Sequence, residues 1–230
     1  MANKHKKKKL SDQMSTITMV TVLLVFLGLG IFAVLQSVAQ SGEQAGAKVN
    51  INYEGQPSIG NANAPVKLVE FGDFKCPTCK AFHDMIYPQL KKDYIDTGKV
   101  QMTFINYQFL GEDSVTAGIA GESIFKQNPE AFWKFYDAIY THQGKESEKW
   151  ATPEFLVDLT KKNIPEVNAE QLSKDLLGKA YEKEVLADNK LAQNYKVDGV
   201  PAIFVNGTKL ENGMDYEALK KAIDAELKKK

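Results

Sequence analysis

The chain contains two cysteines, Cys76 and Cys79, in the run Cys76-Pro77-Thr78-Cys79. Thiols at this spacing can close a small ring, so one sulfur can form a mixed disulfide and the other can resolve it. That exchange runs through a thiolate, and the local pKa sets how much thiolate is present. A β-rich stretch precedes the motif and a helical stretch follows it. The first sulfur then sits at a helix N-terminus, where unpaired N–H groups and the helix dipole favour an anion. Pro77 suits the first turn, because its missing N–H has no helical partner to lose there. Lys75 and Lys80 add positive potential nearby. If the fold stabilises the Cys76 thiolate it stabilises the reduced form, which makes the disulfide oxidising.

Other chemistries for the same residues are weighed beside this one. A structural staple of four residues would remove little unfolded-state entropy. A metal site from Cys76, Cys79 and His83, with His142 as a fourth ligand, lacks the second paired ligand group usual for structural zinc. Attachment of a c-type haem is excluded, since Lys80 stands where histidine must be. His83 reads more simply as a helix-surface or interface residue.

Two features elsewhere bear on the pair. Gly199-Val200-Pro201-Ala202 precedes the last two strands. Pro201 is either a strand-opening proline or a cis proline in a tight turn. In the second case the Val200 carbonyl and N–H are exposed for pairing with an extended peptide. Glu70 lies in an apolar strand six residues before Cys76. A carboxyl held in the interior has a raised pKa and can move a proton to or from the resolving thiol. An edge or exposed position is the alternative reading for Glu70.

The elements that must position these residues follow from pattern. Val66-Lys67-Leu68-Val69-Glu70-Phe71 is mostly apolar on both parities, which suits a buried central strand. A helix over 77–97, bent near Pro88, leads to a second strand over 100–109. Helices then follow over 114–127, 129–142, 153–162, 169–177 and 179–195, with Asn128 and Thr152 as N-caps. Phe132, Trp133, Phe135, Tyr136 and Tyr140 at helical spacing read as core. A strand over 202–206, an Asn206-Gly207 hairpin turn, a returning strand over 208–210 and a helix over 216–227 end the chain. A short additional strand is expected around 49–53.

Composition narrows the class. Of the 230 residues 43% are hydrophobic and 25% charged, which suits a globular chain rather than a disordered one. All 29 basic residues are lysine, and the lack of arginine argues against nucleic acid as a partner. The formal net charge of zero is uneven. Residues 1–39 carry five lysines against Asp12, and the remainder carries 24 lysines against 28 acidic residues. The 19-residue apolar run over 17–35, preceded by lysines, reads as a membrane span with the N-terminus cytoplasmic. A signal peptide cleaved after Ala39 is the alternative, which would make the protein secreted.

The two motifs together resemble the DsbA class of thioredoxin-fold thiol-disulfide oxidases, and especially its membrane-anchored, Gram-positive BdbD-like branch. The matching residues are Val69 to Cys79, Val69-Glu70-Phe71-Gly72-Asp73-Phe74-Lys75-Cys76-Pro77-Thr78-Cys79, and Gly199-Val200-Pro201-Ala202-Ile203-Phe204-Val205-Asn206-Gly207. The resemblance implies an α/β thioredoxin fold with an all-helical insertion after the second core strand, preceded by a transmembrane or signal segment. It implies Cys76 as the attacking and attacked sulfur, Cys79 as its buried partner, Pro201 as a cis proline facing them, and Glu70 as the buried acid beneath. Pro77, Thr78 and Val200 complete the active-site loop and the substrate-binding edge. The best-known members have histidine where Thr78 stands, and Thr78 offers only a hydroxyl hydrogen bond in its place.

The expected organisation is a cytoplasmic basic segment over 1–16, an anchor or signal peptide over 17–39, a linker over 40–57, and a thioredoxin-like domain over 58–230 with its insertion at about 113–195. The expected activity is extracytoplasmic oxidation of reduced exported proteins by a monomer, with the disulfide as redox group and no cofactor or metal. The resemblance also implies a DsbB-like, quinone-coupled membrane reoxidant. A disulfide reductase or isomerase, a metallochaperone using Cys76, Cys79 and His83, and a redox-inert peptide-binding chaperone remain as alternatives.

Overall fold

The computed structural model describes residues 27–32 and 48–229. Residues 27–32 are helical. The rest of the apolar run over 17–35, the basic segment before it and residues 40–47 of the expected linker lie outside the described residues. Among the described residues no helix is long and apolar enough to cross a membrane.

Five strands form one mixed sheet: β1 (Ser58–Ile59), β2 (Val66–Gly72), β3 (Val100–Asn106), β4 (Ala202–Val205) and β5 (Thr208–Lys209), in the order β1-β3-β2-β4-β5. Strands β2 and β3 run parallel, with Val66 opposite Val100 and Gly72 opposite Asn106. All other pairings are antiparallel. β2 is therefore the central strand, and six of its seven residues are buried. That explains its apolar character on both parities.

A parallel pair needs a crossover, and α1 (residues 77–95) supplies it. It alternates α-helical turns over Pro77–Ala81 and Tyr87–Leu90 with wider π turns over Phe82–Ile86 and Lys91–Ile95. The bend expected at Pro88 takes this form: a π turn before the proline absorbs its missing N–H and ring bulk. Five helices then form the insertion: α2 (Glu112–Gln127), α3 (Ala131–Thr141), α4 (Pro153–Asn163), α5 (Ala169–Leu177) and α6 (Glu182–Asn194). The last helix is α7 (Tyr216–Leu227). Thr152 caps α4 through the Phe155 N–H at 3.2 Å, with Pro153 in the first turn. Asn128 accepts from the N–H groups of Glu130 and Ala131 ahead of α3. In the Asn206-Gly207 turn both residues have positive φ, 47° and 83°, which matches the twist of a two-residue hairpin.

Two expectations change. The strand expected over 100–109 ends at Asn106, because β2 ends at Gly72 opposite it and offers no backbone further on. The N–H groups of Phe109 and Leu110 turn instead to the Asp73 carboxylate, at 2.9 and 3.0 Å. No strand forms at 49–53. The segment crosses one sheet face, burying Ile51 with Val69, Phe71 and Ile105. The Tyr195 hydroxyl holds it by donating to the Asn50 carbonyl and accepting from the Asn52 N–H.

The opposite sheet face carries the larger core. Phe132, Trp133, Phe135, Tyr136 and Tyr140 from α3 are all buried there, as their spacing predicts. Phe74 stacks on Phe104 with ring centroids 5.0 Å apart and meets Phe135 edge-on. Tyr136 meets Phe104, Tyr87 and Tyr140 edge-on. Edge-to-face contacts of this kind add about 0.5–1.5 kcal/mol each beyond their buried area.

Candidate active site

Cys76 is the N-cap of α1, with extended backbone (φ −73°, ψ 122°), and Pro77 occupies the first turn. The two thiols are not joined in a disulfide. Cys76 keeps a small exposure of 7%, while Cys79 has none. Their acidities diverge accordingly. The Cys76 thiol is pulled down to about 6, first by the Cys79 S–H that donates to its sulfur. The N–H groups of Cys79 and Thr78 and the Thr78 hydroxyl also favour the anion, against a desolvation cost. Burial pushes the Cys79 thiol well up, and its hydrogen bond to Cys76 and the neighbouring Glu70 carboxylate push it further. One sulfur is thus a thiolate at neutral pH, and the other holds its proton until it is needed.

The lysines flanking the motif do not act as expected. Lys75 is buried and donates to Asp113 Oδ1 at 2.7 Å. Lys80 pairs with Asp84, one helical turn on. Each charge is neutralised by its partner, and the Cys76 shift comes from short-range donors instead.

The Val200–Pro201 bond is cis. The Val200 carbonyl oxygen lies 3.6 Å from Cys76 Sγ, so this loop and the reactive sulfur share one surface. A cavity of about 730 Å³ opens beside it, lined by Val200, Pro201, Leu210, Glu211, Met214 and neighbours.

Glu70 is fully buried on β2, which discards its edge reading. Burial raises its carboxyl to about 8, although the Tyr136 hydroxyl and the charge of His83 pull in the other direction. Tyr136 Oη donates to Glu70 Oε2 at 2.8 Å. Oε1 has no hydrogen-bond partner among the described residues.

The metal alternative loses its third ligand. His83 Nδ1 is 2.7 Å from Asp84 and Nε2 is 3.1 Å from Asp137, so both ring nitrogens are engaged away from the sulfurs. These carboxylates raise the imidazole's pKa against the opposing effect of burial. Nor does His142 join: its Nδ1 faces the Ala138 carbonyl. Among the described residues no three His, Cys, Asp or Glu side chains are grouped to hold a metal ion.

Sequence reasoning missed the support beneath the loop. Asp73 is buried and accepts from the N–H groups of Lys75, Phe109 and Leu110, and Ser114 Oγ lies 2.7 Å from its carboxylate. Burial nevertheless raises its pKa. Gln108 Oε1 accepts from the Phe74 N–H. Gln143 donates to the carbonyls of Phe74 and Cys76, at 2.9 and 3.0 Å. The one available signal was polarity: a tyrosine, a glutamine or an aspartate in a buried stripe needs a partner.

The thioredoxin family's sequence profile matches residues 52–225. A probable disulfide bond formation protein D of Bacillus anthracis is 44% identical over 207 residues, covering 90% of this chain and 92% of the relative. The disulfide bond formation protein D of Bacillus subtilis is 37% identical over 179 residues, covering 78% of this chain and 80% of the relative. Among solved structures, oxidised BdbD from Bacillus subtilis superposes with a TM-score of 0.76 at 36% identity, covering 81% of this chain and all of that one. DsbA from Chlamydia trachomatis, at 23% identity and a TM-score of 0.69, shares the fold over 78% of this chain and 96% of its own.

Proposed function

The chain belongs to the thioredoxin family and is a DsbA-like thiol-disulfide oxidoreductase, and we propose that it introduces disulfide bonds into exported proteins. The observation that carries this reading is the split between the two sulfurs. Cys76 is stabilised as a thiolate at a surface, and Cys79 is buried with a high pKa beside a carboxyl. A stabilised thiolate favours the reduced enzyme, which makes its disulfide a strong oxidant.

The reaction follows from these differences. A substrate thiolate attacks Cys76 Sγ of the disulfide, forms a mixed disulfide, and the electron pair of the broken bond goes to Cys79. That sulfur takes up a proton, for which the buried Glu70 carboxyl, whose charge bears on Cys79, is an acid with a suitable pKa. A second substrate thiolate then attacks the substrate's own sulfur in the mixed disulfide. The substrate disulfide forms and Cys76 leaves as a thiolate. Cys76 is the better leaving group because its pKa is low. The backbone at Val200 offers an extended substrate segment a strand-like edge beside the reacting sulfur.

In this reading the disulfide is the redox group and no bound cofactor is required. The apolar run over 17–35 tethers the domain to the outer face of the cell membrane, and a DsbB-like, quinone-coupled membrane protein reoxidises the Cys76–Cys79 pair. The test combines the equilibrium reduction potential with two variants. We expect a potential well above thioredoxin's, about −270 mV. Cys76→Ala should abolish oxidative refolding of a reduced substrate, and Cys79→Ala should accumulate mixed disulfides at Cys76. A potential near thioredoxin's would assign a reductase instead, and full activity of Cys76→Ala would end the mechanism.

A further inference from the structure

Between β2, α1 and α3 the interior holds one carboxyl among aromatic rings. Glu70 and Tyr136 are both fully buried. The Tyr136 ring is held edge-on against Tyr140, Tyr87 and Phe104, with centroids 5.0, 5.3 and 5.6 Å away. Its hydroxyl therefore has one direction to point, and it meets Glu70 Oε2 at 2.8 Å. The other oxygen, Oε1, is buried and has no hydrogen-bond partner among the described residues. Gly72 leaves room on the side of Oε1: a Cβ there would stand 3.3 Å from that oxygen and 2.5 Å from the Phe104 ring.

We infer that Tyr136 is a positioning residue for proton transfer at Cys79, donating to Glu70 Oε2 so that Oε1 carries the transferable proton. The direction of transfer rests on the oxidase reading above; the orientation of the carboxyl does not. A hydrogen bond to a carboxyl oxygen stabilises negative charge there and lowers that oxygen's proton affinity, so the proton resides on the other oxygen. Burial and the adjacent Glu70 hold the Tyr136 hydroxyl protonated far above neutral pH, so it stays a donor throughout.

The steps balance around this pair. When substrate sulfur bonds to Cys76 Sγ and the Cys76–Cys79 bond breaks, the electron pair goes to Cys79 Sγ. The proton on Glu70 Oε1, which makes no direct hydrogen bond to Cys79 in this structure, reaches that sulfur through an intervening water, leaving a carboxylate that Tyr136 stabilises. On reoxidation Cys79 returns the proton to Oε1 as its sulfur attacks, and the carboxyl is ready again.

The groups that bear on Glu70 come from two helices. α1 presents Cys76, Cys79, His83 and Tyr87, and α3 presents Tyr136 and Tyr140. His83 is the cation among them when protonated, and Asp84 and Asp137 hold it. The neighbours of Glu70 across the sheet, Phe104 and Ile203, are apolar.

The test is a titration of the full chain in its reduced form, following the ¹³C signal of the Glu70 carboxyl. It needs no substrate, so its outcome is separate from the refolding test of the oxidase reading. In Tyr136→Phe the ring remains and one hydrogen bond to the carboxylate is lost. The Glu70 midpoint should rise by about one to two pH units. The pH profile for resolution of a glutathione mixed disulfide by Cys79 should move with it. In a Glu70→Gln background, Tyr136→Phe should leave that resolution rate unchanged. An unmoved Glu70 midpoint in folded Tyr136→Phe, or effects of Glu70→Gln and Tyr136→Phe that multiply, would overturn the assignment. Should Tyr136→Phe not fold, 3,5-difluorotyrosine at position 136 keeps the ring and donates more strongly. It should lower the Glu70 midpoint, and an unchanged or raised midpoint would overturn the assignment equally.

Discussion

Cys76 Sγ lies 3.6 Å from the carbonyl oxygen of Val200, 124 positions away in the chain. A carbonyl oxygen accepts from a thiol and repels a thiolate, so this contact by itself does not favour the anion. The low pKa of Cys76 comes instead from other groups, namely the Cys79 thiol, two N–H groups and the Thr78 hydroxyl. The sulfur therefore meets a backbone acceptor at Val200, while the donors that stabilise its anion come from the motif itself.

Thr78→Val separates the side-chain donor from the backbone donors. Its hydroxyl is the smallest of the contributions that lower Cys76. The Cys76 midpoint should rise from about 6 by roughly half a pH unit, and the reduction potential should fall by about 10–20 mV. Thiolate absorbance against pH, and equilibration with glutathione, would measure the two shifts. A midpoint that does not move would remove Thr78 from the set of donors.

How much of this was legible depended on distance along the chain. The cysteine pair and Pro77 could be read because they sit in a short run whose pattern fixes its element, whereas pattern left Glu70 and Pro201 open and only the family resemblance implied a buried acid and a cis proline. Tyr136 could be read only as core, because its partner Glu70 is 66 positions away and no local pattern joins them. Asp73 was hidden in the same way, its ligands lying on the loop after β3 and on α2. Val49, Ile51 and Tyr53 alternate as a strand would, yet burying Ile51 on the sheet face satisfies that pattern without a ladder. Lys75 misled for a different reason. Charge near a motif reads as potential until its counter-ion is known, and Asp113 lies 38 positions on.

Glu70→Gln should stabilise the fold, increasingly so at higher pH. Glu70 has a folded-state pKa of about 8 against its ordinary value of 4.5, so between those values the folded state binds the proton and the unfolded state does not. Stability then falls as pH rises through that window, by up to about 1.4 kcal/mol per pH unit. Glutamine has no proton to lose and escapes the loss. Urea denaturation of the reduced proteins should show little difference at pH 4 and an advantage of about 2–4 kcal/mol for Glu70→Gln at pH 8. Equal stability at both pH values would mean that Glu70 ionises freely in the fold.

The buried Lys75–Asp113 pair gives a prediction that divides structure from redox tuning. Lys75 directly precedes Cys76, and both members of the pair are almost wholly buried. Asp113 Oδ2 also accepts from the N–H groups of Trp150 and Ala151, at 3.1 and 3.3 Å. The pair thus ties the redox loop to the start of α2 and to the segment ahead of α4. Lys75→Met leaves the Asp113 carboxylate buried without its cation, which should cost about 3–5 kcal/mol. Asp113→Asn keeps an acceptor for the two N–H groups but strands the ammonium, with a cost of similar size. In the double variant neither charge is left alone, so its cost should fall below the sum of the two by more than about 1 kcal/mol. No lysine is among the largest causes of the Cys76 shift, so folded Lys75→Met should keep a Cys76 midpoint of about 6. Denaturation of the four proteins measures the coupling, and thiolate absorbance measures the midpoint. Additive costs would mean that the pair does not hold the loop, and a raised midpoint would return Lys75 to the electrostatic role its position beside Cys76 first implies.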